Sequence, residues 1–226
     1  MSIKPILFNT EMVRAILDGR KSCTRRLIKP QPDEKHTYPL GFVNDSTERK
    51  DIGSFGFGTS ELGGSIQYTK PPYQPGDILY VRETWCLRFD GEKYFYKADK
   101  NTSREEKHLL DYDDARWHPS IHMPEEAARI WLKVTDVRVE RLQDITEEQA
   151  CMEGTNPWDE ACYENNGWRP TFSDPDSGGE PNMVDGFHKL WNSTIKKSDI
   201  DRYGWNANPY VFVIEFKRCD KPESEG

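Results

Sequence analysis

The chain has 226 residues, of which 35% are hydrophobic and 31% charged, and its formal net charge is −8. Aromatic side chains reach 12%, which supplies enough large apolar area for a sizeable core. The acidic balance argues against a protein that coats duplex DNA nonspecifically, and no run approaches the ~20 apolar residues of a membrane span.

From the N-terminus, residues 3–8 read as a short strand. Asn9 or Thr10 then caps a helix that runs to about Asp18, with Met12, Val13, Ile16 and Leu17 on one face and Gly19 as its stop. Residues 20–26 leave that helix in extended or loop form. The stretch 31–75, rich in Gly, Pro, Ser and Thr, reads as a long, partly mobile loop insertion. Pro75-Gly76-Asp77 is a turn, 78–85 a strand and 94–98 another. Residues 101–114 are charged and read as a solvated helix or loop.

Residues 129–142 form the longest strand pattern. Ile130, Leu132 and Val134 alternate, and Val137 and Val139 resume one residue out of step, so a bulge is expected near Thr135-Asp136. Thr146 and Gln149 make a capping box that opens a short helix ending at Gly154. A second loop insertion follows over 155–181. Met183, Val184, Phe187, Leu190 and Trp191 mark an amphipathic helix, and residues 210–216, apolar on both faces, a central strand. The expected architecture is α+β with a mixed or barrel-like sheet. It is one domain over 1–218, with insertions at about 31–75 and 155–181 and a polar tail over 219–226.

Four constellations carry chemistry-bearing side chains. The first is Gly19-Arg20-Lys21-Ser22-Cys23-Thr24-Arg25-Arg26. It lies inside residues 14–35, where seven Lys/Arg face Asp18, Asp33 and Glu34, a net +4 on an otherwise acidic chain. Such an island suits a small anionic or nucleotide-sized ligand better than a long duplex. In an extended segment Ser22, Thr24 and Arg26 share one side, and Lys21 falls opposite unless the backbone turns at the helix exit. A hydroxyl beside an amine can serve as nucleophile and base, and Arg26 can hold a phosphate or a base edge by paired hydrogen bonds. A solvated basic loop is the plainer alternative.

The second is Arg82-Glu83-Thr84-Trp85. Alternation places Glu83 beside Trp85, so that a carboxylate could accept from an exocyclic amine while the ring stacks on a base. A salt bridge next to a core tryptophan is the alternative. The third is the proline-bracketed stretch from Trp117 to Pro124. Here Trp117 offers a stacking platform, and Ser120 and His122 can wall a pocket. Pro119 breaks the helical spacing that would converge His118 and His122, and no third ligand stands at a recognised spacing, so no metal is expected.

The fourth constellation is Glu147, Glu148 and Glu153. The first two suit the positive end of their helix, whereas Glu153 works against the C-terminal end and is the better functional candidate. No GxGxxG, Walker, HExxH or GxSxG motif occurs, and no cofactor is expected. Five cysteines without a CxxC pair read as reduced thiols in a cytoplasmic protein.

Residues 5–30, with Gly19-Arg20-Lys21 and Thr24-Arg25-Arg26, resemble the opening of phage and prophage ASCH-domain proteins. The resemblance continues through 75–85, 119–124, 129–154 and 208–217, about half the chain. It implies a PUA-like β-barrel with a cleft beside the first helix, in a superfamily that binds RNA or modified bases. One bacterial branch hydrolyses N4-acetylcytidine with a Lys, a Thr three positions on, and a Glu on the helix after the long strand. Those positions match Lys21, Thr24 and Glu153. By that analogy Thr24 attacks the acetyl carbon, Lys21 takes its proton and Glu153 assists the leaving amine. The chain is about twice as long as that branch. Three expectations follow: a module for RNA, single-stranded nucleic acid or a modified nucleoside; an amidohydrolase; or a phage protein acting on a host factor.

Overall fold

The alternation of apolar residues in the longest strand patterns is what assembles the main sheet of this computed structural model, which describes residues 2–46, 48–87, 93–99, 116–155 and 183–222. Five strands are hydrogen-bonded in the order β1-β6-β9-β10-β2. They are β1 (Ile3–Leu7), β6 (Ile78–Arg82), β9 (Trp131–Arg141), β10 (Tyr210–Cys219) and β2 (Cys23–Leu27). β1 runs parallel to β6, and the other pairs are antiparallel. The long β9–β10 ladder slips once: Glu215 pairs with Asp136 but Phe216 with Val134, leaving Thr135 as the extra residue of a bulge where the alternation broke.

The two faces of this sheet carry different layers. Phe212, Ile214, Phe216, Val134 and Val137 meet helix α1 (Thr10–Leu17) in the main core. Val211 and Val213 on the opposite face meet α2 (Glu147–Met152) and α3 (Met183–Thr194) through Ala150, Phe187 and Trp191. Both caps form as their sequences require. Asn9 accepts from the Met12 amide, and Thr146 and Gln149 bond reciprocally. A four-residue helix α4 (Ile200–Tyr203) leads to β10.

The stretch 31–75 is not the loop that its glycines suggest. It carries an antiparallel sheet of β3 (Tyr38–Phe42), β4 (Phe55–Ser60) and β5 (Gly63–Thr69). Phe55 and Phe57 alternate with Gly56 and Gly58, and this is a strand period. The phenylalanines enter the main core, with the Phe57 ring 4.8 Å from that of Tyr210. The glycines lie under Leu40 and Ile66, where a Cβ at Gly58 would come within 2.6 Å of the Gly63 carbonyl.

The expected strand over 78–85 is also two pieces. β6 ends at Arg82, and β7 (Trp85–Leu87) pairs instead with β8 (Tyr94–Tyr96). Nor does a ladder close the main sheet into the expected barrel, because β1 and β2 are its edges among the described residues. The sheet curls far enough for the Arg26 side chain to span the gap, donating to the Leu7 carbonyl at 3.0 Å. The expectations for 101–114 and for most of 155–181 lie outside the described residues. No helix among those described is long and apolar enough to cross a membrane.

Candidate functional site

The exit of α1 fixes the first constellation. Gly19 adopts φ +75°, and the amides of Arg20 and Lys21 both return to the Ala15 carbonyl. The chain then meets the end of α2: Lys21 pairs with Glu153 in an antiparallel bridge, and the Ser22 amide donates to the Met152 carbonyl. Gly154 makes this approach possible, since at its φ of +85° a Cβ would stand 2.7 Å from the Ala15 Cβ and 3.1 Å from the Lys21 Cβ.

Lys21 and Glu153 are thereby brought together in a dry setting. Lys21 Nζ donates to Glu153 Oε2 and to its carbonyl, both at 2.8 Å, and the two side chains are 0% and 3% exposed. Arg25 takes the other carboxylate oxygen at 3.3 Å, and also donates to Gln149 and Glu140. Glu140 in turn is held by Arg138, which also reaches Glu215. Glu153 thus serves two cations at once, and a chain of ion pairs runs from it to the bulged strand.

Alternation along β2 separates the remaining members. Cys23 and Arg25 face α2, and Thr24 and Arg26 face the opposite side. Thr24 is buried beside Ile214, and its hydroxyl has no hydrogen-bond partner among the described residues. Arg26 and Lys21 both lie 5.4 Å from the centre of the Phe8 ring, so the turn at the helix exit brings Lys21 to the ring that Arg26 also meets. Burial pushes the Arg26 guanidinium downward from its ordinary pKa, against the opposing influence of Tyr73 and Glu153. Cys23 is no nucleophile here, because burial first and Glu153 second push its thiol up to about 12.

The basic island is mostly neutralised within the fold. Arg14 pairs with Glu11, Arg20 with Asp18, Lys21 with Glu153, and Arg25 with Glu140 and Glu153. Arg26 has no carboxylate partner among the described residues. It combines a charge, a position at the sheet gap and donors left over after its bond to Leu7.

The second and third constellations form a separate structural cluster. Glu83 is 1% exposed and accepts both arms of Arg129, at 2.9 and 3.0 Å, and Arg129 also reaches Asp99 and lies over the Tyr96 ring. Burial pushes the Glu83 carboxyl upward, more than Arg129 pulls it down. Arg82 donates to the carbonyls of Ile121 and Met123 and so pins the loop that carries Ser120 and His122. Trp85 exchanges backbone bonds with His118 and packs on its ring at 5.0 Å. Trp117 is 37% exposed and His122 is exposed on the same loop. Among the described residues no three His, Cys, Asp or Glu side chains gather as a metal site.

Three supporting residues went unread in the sequence. Gln149 was legible only as a cap, yet the side-chain oxygen that accepts from Thr146 also accepts from Arg25. Phe8 was legible only as a strand end. Arg129 sits 46 residues from Glu83, with no local pattern to join them.

No family model matches the chain, and neither does any curated protein. Among solved structures, the crystal structure of an ASCH domain from Lactobacillus crispatus is similar over 96% of this chain and 79% of that one. The two are 12% identical and superpose with a TM-score of 0.36, a likeness too loose to carry a structural argument.

Proposed function

We propose that this chain is an ASCH-type protein that takes a nucleoside, or a nucleotide of single-stranded RNA, into the gap between β1, α1 and β2. The observation that carries this reading is Arg26. A half-buried guanidinium with no carboxylate partner among the described residues and with unused donors is suited to a phosphate or to the acceptor edge of a base. Phe8 supplies an aromatic surface at the same place, and the cations paired elsewhere keep the rest of the island from competing. Binding of a short single-stranded RNA, followed by fluorescence anisotropy at several salt concentrations, tests it. Affinity falls as salt rises, and Arg26→Gln weakens binding by about tenfold, the loss of one charge-assisted contact. Binding that is indifferent to Arg26→Gln sinks the proposal.

A second reading, hydrolysis of an acylated nucleoside amine such as N4-acetylcytidine, is favoured by the 2.8 Å contact between Lys21 and Glu153. In that reading Lys21 first passes a proton to Glu153 and then accepts the Thr24 hydroxyl proton as Thr24 Oγ attacks the acyl carbon. The C–N bond breaks, Glu153 protonates the leaving amine, and water then releases acetate from the Thr24 ester. Overnight incubation with N4-acetylcytidine, read by chromatography, yields cytidine with the unaltered protein and none with Lys21→Ala or Thr24→Ala. No cytidine from the unaltered protein removes this reading and leaves the binding proposal in place.

A further inference from the structure

A second opening lies away from the ion pairs, between the β3–β4 connection and the β9 bulge. It encloses about 460 Å³ and is walled by Phe42, Ile52, Pro75 and Val137. That volume falls in the range of small-molecule sites, and its walls carry aromatic and aliphatic side chains. Its polar groups are few: the carboxamides of Asn44 and Gln74 and the carboxylate of Asp136. No lysine or arginine lines it, so it has nothing to offer a phosphate.

These polar groups are available. Neither carboxamide has a hydrogen-bond partner among the described residues, and the contact of Asp136 with Arg138, at 3.4 Å, is long. Gln74 is also held in place. Gly53 adopts φ +78°, and a Cβ there would stand 2.2 Å from Gln74 Nε2, so the carboxamide rests against a backbone that only glycine leaves bare. The bulge at Thr135 resets the strand alternation next to Asp136, at the rim of the opening.

We infer that this opening binds an uncharged nucleobase carrying an exocyclic amine, of the adenine or cytosine type. A carboxamide presents a donor and an acceptor side by side, matching the edge of such a base, and a carboxylate accepts from its amine. The site is distinct from the gap at Arg26 and stands whether or not that gap binds nucleic acid. Val137 lies in the same cross-strand row as Ile214 and Thr24, two strand spacings or about 10 Å from Thr24, with Ile214 fully buried between them.

The test is a nitrogen-15 NMR titration of the side-chain amide signals with adenosine, cytidine and uridine, none of which carries a phosphate. The Gln74 and Asn44 carboxamides shift with adenosine or cytidine, which binds about tenfold more tightly than uridine, the value of one satisfied hydrogen bond. Gln74→Leu and Asp136→Asn each lower that affinity about tenfold with the folded spectrum retained, and Arg26→Gln leaves it unchanged. Asp136 is exposed, so its variant remains informative if Gln74→Leu perturbs folding. The inference is overturned by no shift at about 10 mM nucleoside. It is equally overturned by equal affinity for uridine, or by shifts that persist in Asp136→Asn and disappear in Arg26→Gln.

Discussion

Glu83 and Glu153 are both carboxylates removed from water and paired with basic side chains, yet their surroundings assign them different work. Glu83 faces one guanidinium squarely, with both oxygens occupied, beneath a loop that Arg82 ties down. Glu153 divides its oxygens between Lys21 and Arg25, at the seam where α1, α2 and β2 meet. The first arrangement is closed and has the form of a structural clasp. The second leaves Lys21 and Arg26 converging on Phe8, where a ligand can complete what the protein leaves unpaired. A buried ion pair therefore does not by itself mark a site, and it is the unused donors of Arg26 on which the binding proposal rests.

The comparison can be broken most forcefully at Glu153. Glu153→Gln strands the buried Lys21 and leaves Arg25 with Glu140 alone, so it is expected to lower unfolding free energy by about 3–5 kcal/mol in urea denaturation. Lys21→Met is milder, because Arg25 still holds the carboxylate. Equal costs would show that the two cations do not share it. Gly154→Ala acts on the same seam by shape alone. Backbone strain at φ +85° and the clash with Ala15 together cost about 2–4 kcal/mol in the same assay.

Asp77 sharpens the contrast through pH. Burial pushes its carboxyl upward, but bonds from Lys4, the Ser2 hydroxyl and the Gln74 amide outweigh this and leave it below the usual aspartate value. A depressed value stabilises the fold above the unfolded pKa of about 3.9, and that stabilisation is lost as pH falls through the folded value. Asp77→Asn should thus cost about 1.5 kcal/mol near neutrality and progressively less in acid. Glu83 has the opposite sign. Its raised value means that stability present below the unfolded pKa of about 4.3 is lost as pH rises through the folded value. The gap between wild type and Glu83→Gln therefore narrows with rising pH. Chemical denaturation at a series of pH values from acid to neutral checks both slopes, and parallel slopes would refute the distinction. Smallest of all, Arg26→Met changes stability by less than about 1 kcal/mol while weakening RNA binding at least about tenfold, which separates a ligand contact from a clasp.

Local chemistry was readable wherever neighbours in sequence are neighbours in space. The Asn9 cap, the Thr146–Gln149 box and the bulge at Thr135 each depend on a few consecutive residues, and each is where the pattern placed it. The pairing of Lys21 with Glu153 could be anticipated only through family resemblance, because 132 residues separate them. A separation of 46 residues likewise hid Glu83 from Arg129, and distance along the chain disguised Arg25, whose place in a basic run suggests a solvated charge although its side chain is 0% exposed.

The misread segment 31–75 has a different cause. Glycine in a run with serine and proline reads as loop, but at Gly56 and Gly58 it answers the crowding of Ile66 and Leu40 across β4, a demand set by cross-strand packing against β3 and β5 that composition does not display. The sequence alone determined the periods, caps and turns, since these follow from backbone and side-chain geometry within a turn or two. Only the tertiary structure decided which charges are neutralised, which glycines are packed, and that Arg26 keeps its donors. Those outcomes depend on desolvation and on partners that the fold brings together from distant parts of the chain.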